Sequence, residues 1–228
     1  MSKAKRKRRS GFGSSESLVI IGIGAVMVAL ALIALSGGLP QATPSSSSTV
    51  GLELCNGKPC PSQGSPDAPV TMIELSDYAC VHCRDYNLGK AAIIEDKYVK
   101  TGKLRYVSHV FALWPETQVA AAAAMCANEQ GKYWEFHRQA FANQKQSGFP
   151  TANDFLAWGQ QIGVEASKFA DCVNSGRYAQ DAQISAFEGQ RAGVTSTPTF
   201  FIDGQVIRGD VPLDQFEAAI EAALAVKQ

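Results

Sequence analysis

Six cysteines occur in the sequence, at positions 55, 60, 80, 83, 126 and 172. Two of them, Cys80 and Cys83, enclose Val81 and His82. A C-x-x-C spacing sets two sulfurs one helical turn apart, where dithiol and disulfide interchange by thiolate attack. That chemistry needs one sulfur ionised near neutral pH and a second that resolves the mixed disulfide. The residues ahead of the pair, Val70-Thr71-Met72-Ile73-Glu74-Leu75, read as an apolar strand, and Ser76-Asp77-Tyr78-Ala79 follows. After Cys83 the pattern is helical, with Ala91, Ile94 and Tyr98 on one face. Cys80 therefore falls where a strand hands over to a helix N-terminus. Free N–H groups and the positive end of the helix dipole lower a thiol pKa there from about 8.5 to roughly 3.5–7.5. His82 adds a donor, and a cation when protonated. Cys83 is the candidate buried resolving thiol, and Glu74, six residues before Cys80, is placed to relay its proton. The plainer alternatives are an exposed helix residue for His82 and an ordinary polar strand residue for Glu74.

Stabilising the Cys80 thiolate stabilises the dithiol and makes the disulfide the stronger oxidant. A pKa near 4 in place of 7 is worth about 4 kcal/mol at neutral pH, or roughly 90 mV. That direction favours donating disulfides over reducing them.

The other cysteines pair by position. Cys126 and Cys172 would close a loop of about 47 residues, a structural bridge worth roughly 4 kcal/mol on the chain-entropy account; two buried free thiols are the alternative. Cys55 and Cys60 flank the turn-forming Asn-Gly-Lys-Pro, and a bridge there gains only about 2 kcal/mol, which leaves room for an auxiliary redox role. A four-cysteine zinc site from Cys55, Cys60, Cys80 and Cys83 has near-ribbon spacing. It sits poorly with Cys80, which follows a buried strand and begins a helix. His109 and His137 have no partners nearby in sequence and read as packing or surface residues, and Trp134, Phe136 and Phe141 read as core.

The elements that must position these groups follow from periodicity and punctuation. A strand over Leu104–His109, taken as an edge strand, precedes helices over 117–129, 132–143, 153–162, 166–174 and 177–191. Thr151 with Asp154 has the form of a capping box, and Gly163, Gly176 and Gly193 stand where helix C-caps belong. A strand Gln205–Arg208 and an amphipathic helix Leu213–Val226 close the chain.

With the segment Gly193-Val194-Thr195-Ser196-Thr197-Pro198-Thr199-Phe200-Phe201-Ile202-Asp203-Gly204, these features resemble the DsbA-type branch of the thioredoxin superfamily, particularly membrane-anchored DsbA-like or BdbD-like thiol:disulfide oxidoreductases, over residues 66–228. The resemblance implies an α/β thioredoxin fold with an inserted helical domain over about 115–192. It also implies a cis Thr197–Pro198 bond opposite Cys80, with Thr197, Pro198 and Val81 meeting substrate. It calls for no metal and no organic cofactor. Reduced exported proteins would be the substrates, and a membrane quinone-linked DsbB-type or VKOR-type protein would reoxidise the pair. Val81 departs from the Pro of the best-known oxidase, which bears on the potential more than on the reaction class. A reductase or isomerase of the same fold is the alternative within enzymes. A tethered zinc-binding or chaperone module without turnover is the alternative outside them.

The 228 residues carry 21 basic and 21 acidic side chains, yet Lys3, Lys5, Arg6, Lys7, Arg8 and Arg9 crowd the first nine positions. The remainder is acidic, and a basic folded surface for nucleic acid is lacking. With 46% hydrophobic and 18% charged residues the chain is no disordered polymer. From Leu18 to Leu35 no side chain is polar, a span of about 27 Å as a helix. The basic tail before it predicts a single-pass anchor in the cell membrane, N-terminus cytoplasmic, catalytic domain outside; a cleaved signal peptide is the alternative. The expected organisation is a tail (1–16), a transmembrane helix (17–36), a linker with the Cys55/Cys60 loop (37–65) and the thioredoxin domain (66–228).

Overall fold

The computed structural model describes residues 50–144 and 149–227. The basic tail, the expected transmembrane stretch 17–36 and linker residues 37–49 lie outside these. Among the described residues no helix is long and apolar enough to cross a membrane. A 3-10 turn (Val50–Glu53) leads into β1 (Leu54–Cys55), β2 (Lys58–Pro59), β3 (Ser62–Gln63) and β4 (Val70–Ser76). Then come α1 (Val81–Leu88), α2 (Lys90–Ile94), a π turn (Glu95–Val99) and β5 (Leu104–Val110). Five helices follow: α3 (Pro115–Asn128), α4 (Tyr133–Ala142), α5 (Ala152–Ile162), α6 (Ala166–Ser175) and α7 (Ala179–Arg191). The chain ends with β6 (Thr199–Ile202), β7 (Gln205–Arg208) and α8 (Leu213–Val226).

The main sheet has the order β3-β5-β4-β6-β7, with β4 and β5 parallel and the other pairs antiparallel. Because strand side chains alternate, Val70, Met72, Leu104, Tyr106, Phe200 and Ile202 bury one face against α1, α2 and α8, where Tyr86, Phe216 and Ile220 meet them. Ile73, Leu75, Val107 and Phe201 bury the other against α7 and the segment around Leu52 and Cys60. The register pairs Glu74 with Ser108 and Leu75 with His109. Side chains 74 and 108 therefore share the first face, and 75 and 109 the second.

Three sequence expectations are corrected. The strand at Leu104 is not an edge: Ser62 and Gln63 pair with Val107 and Tyr106 on its outer side. A two-residue polar strand carries no periodic signal, while β5, buried almost throughout, reads as the interior strand it is. The single helix expected after Cys83 breaks at Gly89, where glycine's poor helix propensity separates α1 from α2. The linker reading of 37–65 fails over 50–65, since Leu52 and Cys60 belong to a core cluster and β3 to the sheet. Asn56 and Gly57, with φ of 53° and 71°, supply the left-handed pair that a two-residue hairpin between β1 and β2 requires.

The insertion is organised around α3, whose Ala120 to Ala124 are all buried and let neighbouring helices approach closely. Phe136, Phe141, Phe155, Trp158 and Phe169 fill the space between the helices, each fully buried phenylalanine contributing about 2–3 kcal/mol. The Cys126–Cys172 disulfide ties α3 to α6 inside this core. The Thr151–Asp154 capping box is present at α5, and Gly163 and Gly176 close α5 and α6 in the left-handed conformation. Gly193 lies one residue beyond the Ala192 cap of α7.

Candidate active site

Cys80 is the N-cap of α1, and its sulfur accepts from the Cys83 N–H at 3.4 Å. The turn that presents it is fixed by Asp77, whose carboxylate accepts from Ala79 N (2.7 Å), Leu113 N (2.9 Å) and the Thr117 hydroxyl (3.0 Å). Gln144, after α4, donates to the carbonyls of Tyr78 (2.8 Å) and Cys80 (3.1 Å), so the insertion grips the same turn from outside. Opposite stands the Thr197–Pro198 peptide, which is cis; the Thr197 carbonyl oxygen accepts from the Cys80 thiol at 3.3 Å.

The two sulfurs, both free thiols, differ sharply. Cys80 is partly exposed, and its pKa is held down to about 5. The Cys83 thiol is the largest cause, joined by the Thr197 side chain and the N–H groups of Cys83 and His82, all against the opposing effect of burial. Cys83 has no exposed surface, and burial, then hydrogen bonding to Cys80, drives its thiol far above the ordinary range. Val81 and His82 lie exposed on the first turn of α1. The contribution of His82 to the sulfur comes through its backbone N–H.

Glu74 is fully buried on β4 and accepts from the Tyr106 hydroxyl and from Asn87 Nδ2 at 2.7 Å. Burial raises its pKa to about 7 in spite of these bonds. The same Asn87 nitrogen donates to the Cys83 carbonyl at 3.0 Å, which links Glu74 to the helix turn that carries Cys83. Asn87 Oδ1 is therefore the acceptor, facing His137 Nε2 at 3.0 Å, and His137 Nδ1 meets the Tyr78 hydroxyl at 2.9 Å. With Nε2 protonated toward Asn87, Nδ1 accepts from Tyr78. Burial lowers the His137 pKa to about 3, so the ring is neutral.

Sequence reasoning located Cys80, Cys83, Glu74, Thr197 and Pro198, and the structure brings these together. It missed Asn87 and His137. Asn87 stands one turn after Cys83 on the buried face of α1, and a polar residue in that stripe was the available signal. His137 stands likewise among Tyr133, Phe136 and Phe141 on α4. Cys55 and Cys60 are bonded to each other and group with His109, apart from Cys80 and Cys83, so the four-cysteine zinc arrangement is not formed. His109 is wholly buried with partners at both ring nitrogens, contrary to the expectation of a plain packing or surface residue.

The protein-family model described as thioredoxin matches residues 58–222. The Na(+)/H(+) antiporter NhaA 3 of Salinispora tropica is 31% identical over 171 residues, which cover 72% of this chain and 24% of that protein. The chain thus spans about a quarter of the antiporter it matches. Disulfide bond formation protein D of Bacillus subtilis is 22% identical over 177 residues, covering 73% of this chain and 78% of that one. The crystal structure of oxidised BdbD from Bacillus subtilis superposes with a TM-score of 0.68 at 20% identity, over 73% of this chain and 93% of that one. The match across most of the chain, on a sheet with an inserted helical domain and a cysteine pair at a helix start, means that the chain belongs to the thioredoxin family and has the fold of its DsbA-type members.

Proposed function

We propose that this chain is a membrane-tethered thiol:disulfide oxidoreductase that introduces disulfides into exported proteins through Cys80 and Cys83. The observation that carries the reading is the asymmetry of the two sulfurs, one accessible and held down to about 5, the other buried with its thiol pushed up. A substrate thiolate attacks the accessible Cys80 sulfur of the oxidised pair. A substrate–Cys80 bond forms, the Cys80–Cys83 bond breaks, and the electron pair goes to Cys83, which takes up a proton. The substrate's second thiolate then attacks the substrate sulfur, and Cys80 departs as a thiolate that needs no proton at neutral pH. The substrate loses two electrons, and the dithiol enzyme holds them.

Glu74 acts as the nearby proton reservoir, since a carboxyl with a pKa of about 7 both holds and releases a proton near neutrality. Thr197, Pro198 and exposed Val81 border the accessible sulfur and meet the substrate chain. The name of the Bacillus subtilis relative supports the same direction of exchange. Support for the tether comes from the apolar stretch Leu18–Leu35 and from linker residues with a reach of about 20 Å, which would keep Cys80 near a quinone-linked DsbB-type or VKOR-type membrane protein.

The test is equilibration of the full chain, in detergent, against glutathione, with oxidation of a reduced two-cysteine peptide followed in parallel. The expected result is a Cys80–Cys83 disulfide more oxidising than glutathione and stoichiometric peptide oxidation. A pair more reducing than glutathione would assign the chain to the reductases, and undiminished activity in Cys80→Ser would remove the mechanism.

A further inference from the structure

The hairpin of β1 and β2 carries a sulfur pair that the Cys80 chemistry does not use. Cys60 is buried, whereas Cys55 is partly exposed. Cys55 borders a small cleft of about 30 Å³ whose walls include Ala121, Met125 and Ala182, with Lys58 and Asp181 also lining it. Behind the bridge stands His109, with Nδ1 3.5 Å from the Cys60 sulfur and 3.8 Å from that of Cys55.

The surroundings of this imidazole are unusual. Nδ1 lies 3.0 Å from the Leu52 carbonyl oxygen and Nε2 2.8 Å from the Ser185 carbonyl oxygen. A carbonyl only accepts, and a neutral imidazole has a single N–H, so one of these two contacts lacks a proton in either tautomer. The Ser185 hydroxyl, 3.1 Å from Nε2, serves whichever state that nitrogen takes. Only the imidazolium donates to both carbonyls, and burial opposes it while no anion touches the ring. Opening of the disulfide would supply that anion, a Cys60 thiolate against Nδ1. The other charged groups around the hairpin are Glu188, which accepts from Asn56 N at 3.3 Å, Asp181, which accepts from Asn56 Nδ2 at 2.6 Å and pairs with Lys58, and the Glu53–Arg105 ion pair. Of these, Glu188 favours the imidazolium further.

We propose that Cys55–Cys60, backed by His109, is a second dithiol/disulfide exchange site that takes electrons from an external vicinal dithiol. A donor thiolate attacks the accessible Cys55 sulfur, a donor–Cys55 bond forms, and the Cys55–Cys60 bond breaks with its electron pair on Cys60, beside His109. The donor's second thiol gives up its proton and attacks the donor sulfur, and Cys55 leaves and is protonated. The donor becomes a disulfide, and the two electrons and two protons reside on Cys55, Cys60 and His109. His109 is a positioning residue that stabilises the leaving thiolate.

The experiment uses the full chain carrying Cys80→Ser and Cys83→Ser, so its outcome is independent of the reading given above. The protein is equilibrated in graded ratios of reduced to oxidised dithiothreitol, quenched, alkylated, and each bridge is counted by peptide mass. Cys55–Cys60 is expected to open at a dithiol fraction at least about tenfold below that which opens Cys126–Cys172, the control in the same molecule. His109→Gln should slow opening by about tenfold, because a leaving thiolate without its imidazole partner departs more slowly, and should shift its equilibrium toward the disulfide. The proposal is overturned if the two bridges open together, which the unsubstituted His109 protein alone decides. It is equally overturned if a folded His109→Gln protein opens with unchanged rate and equilibrium.

Discussion

The Cys80 sulfur stands 3.3 Å from the carbonyl oxygen of Thr197, its partner across 117 positions of sequence. As a thiol it donates to this carbonyl; as a thiolate it has nothing to donate and relies on the donors around it. The reduced protein is expected to show thiolate absorbance with a midpoint near pH 5. A depressed folded pKa adds stability that is complete above the ordinary thiol value of about 9 and disappears as pH falls through about 5. The melting temperature of the reduced protein, measured relative to Cys80→Ser, should therefore climb between those limits. A difference that stays flat across the range contradicts the assignment.

Removal of the resolving thiol gives a second check. Cys83→Ser should accumulate substrate mixed disulfides on Cys80, visible by nonreducing gel and peptide mass. Their appearance on Cys83 in Cys80→Ser instead would reverse the order of attack, which the burial of Cys83 forbids.

Glu74 gives the opposite pH sign. Its folded pKa is raised, so the fold prefers the protonated carboxyl. The stability is whole below the ordinary value near 4.5 and declines as pH rises through about 7, by roughly 3 kcal/mol at pH 8. Glu74→Gln should abolish that slope in urea unfolding at pH 5 and pH 8, with Cys126–Cys172 intact. Equal slopes in both proteins would show the carboxyl to be ionised at little cost.

His137 sets the acid limb. Its neutral form is the one the fold accommodates, so stability present above its ordinary value of 6.5 falls away as pH drops toward about 3. His137→Gln should flatten this limb while costing about 1–3 kcal/mol at neutral pH, because Asn87 or Tyr78 loses a buried partner. An unchanged acid limb would point to other groups.

The Cys126–Cys172 bridge is a structural tie. Cys126→Ala with Cys172→Ala should lower unfolding free energy by about 4 kcal/mol and leave the Cys80 titration where it was. A shifted Cys80 midpoint would mean that the insertion governs the reactive sulfur electronically as well as mechanically.

Much of this molecule was legible along the chain because its determinants are local. The run Val70–Leu75 followed by Cys80 announces a strand and a helix start, Thr151 and Asp154 announce a cap, and Asp203-Gly204 announces the turn joining β6 to β7. The partners of the site are not local. Asn87 and His137 are 50 positions apart and meet only after α4 docks beside α1. Ser62 and Gln63 become a strand only because Tyr106 and Val107 offer them an edge. The conformational cost of closing such contacts is met by tertiary burial, which no window of sequence contains.

Consecutive residues of β4 point to opposite sides of one sheet, Glu74 toward Asn87 and Leu75 toward the side occupied by His109. A single peptide unit thus separates two hydrogen-bond networks that share no side chain. The β4–β5 pair therefore acts as a partition. Replacing Asn87 or His137 beneath Cys80 leaves the hydrogen bonds of His109 behind the hairpin bridge in place, and the reverse holds too.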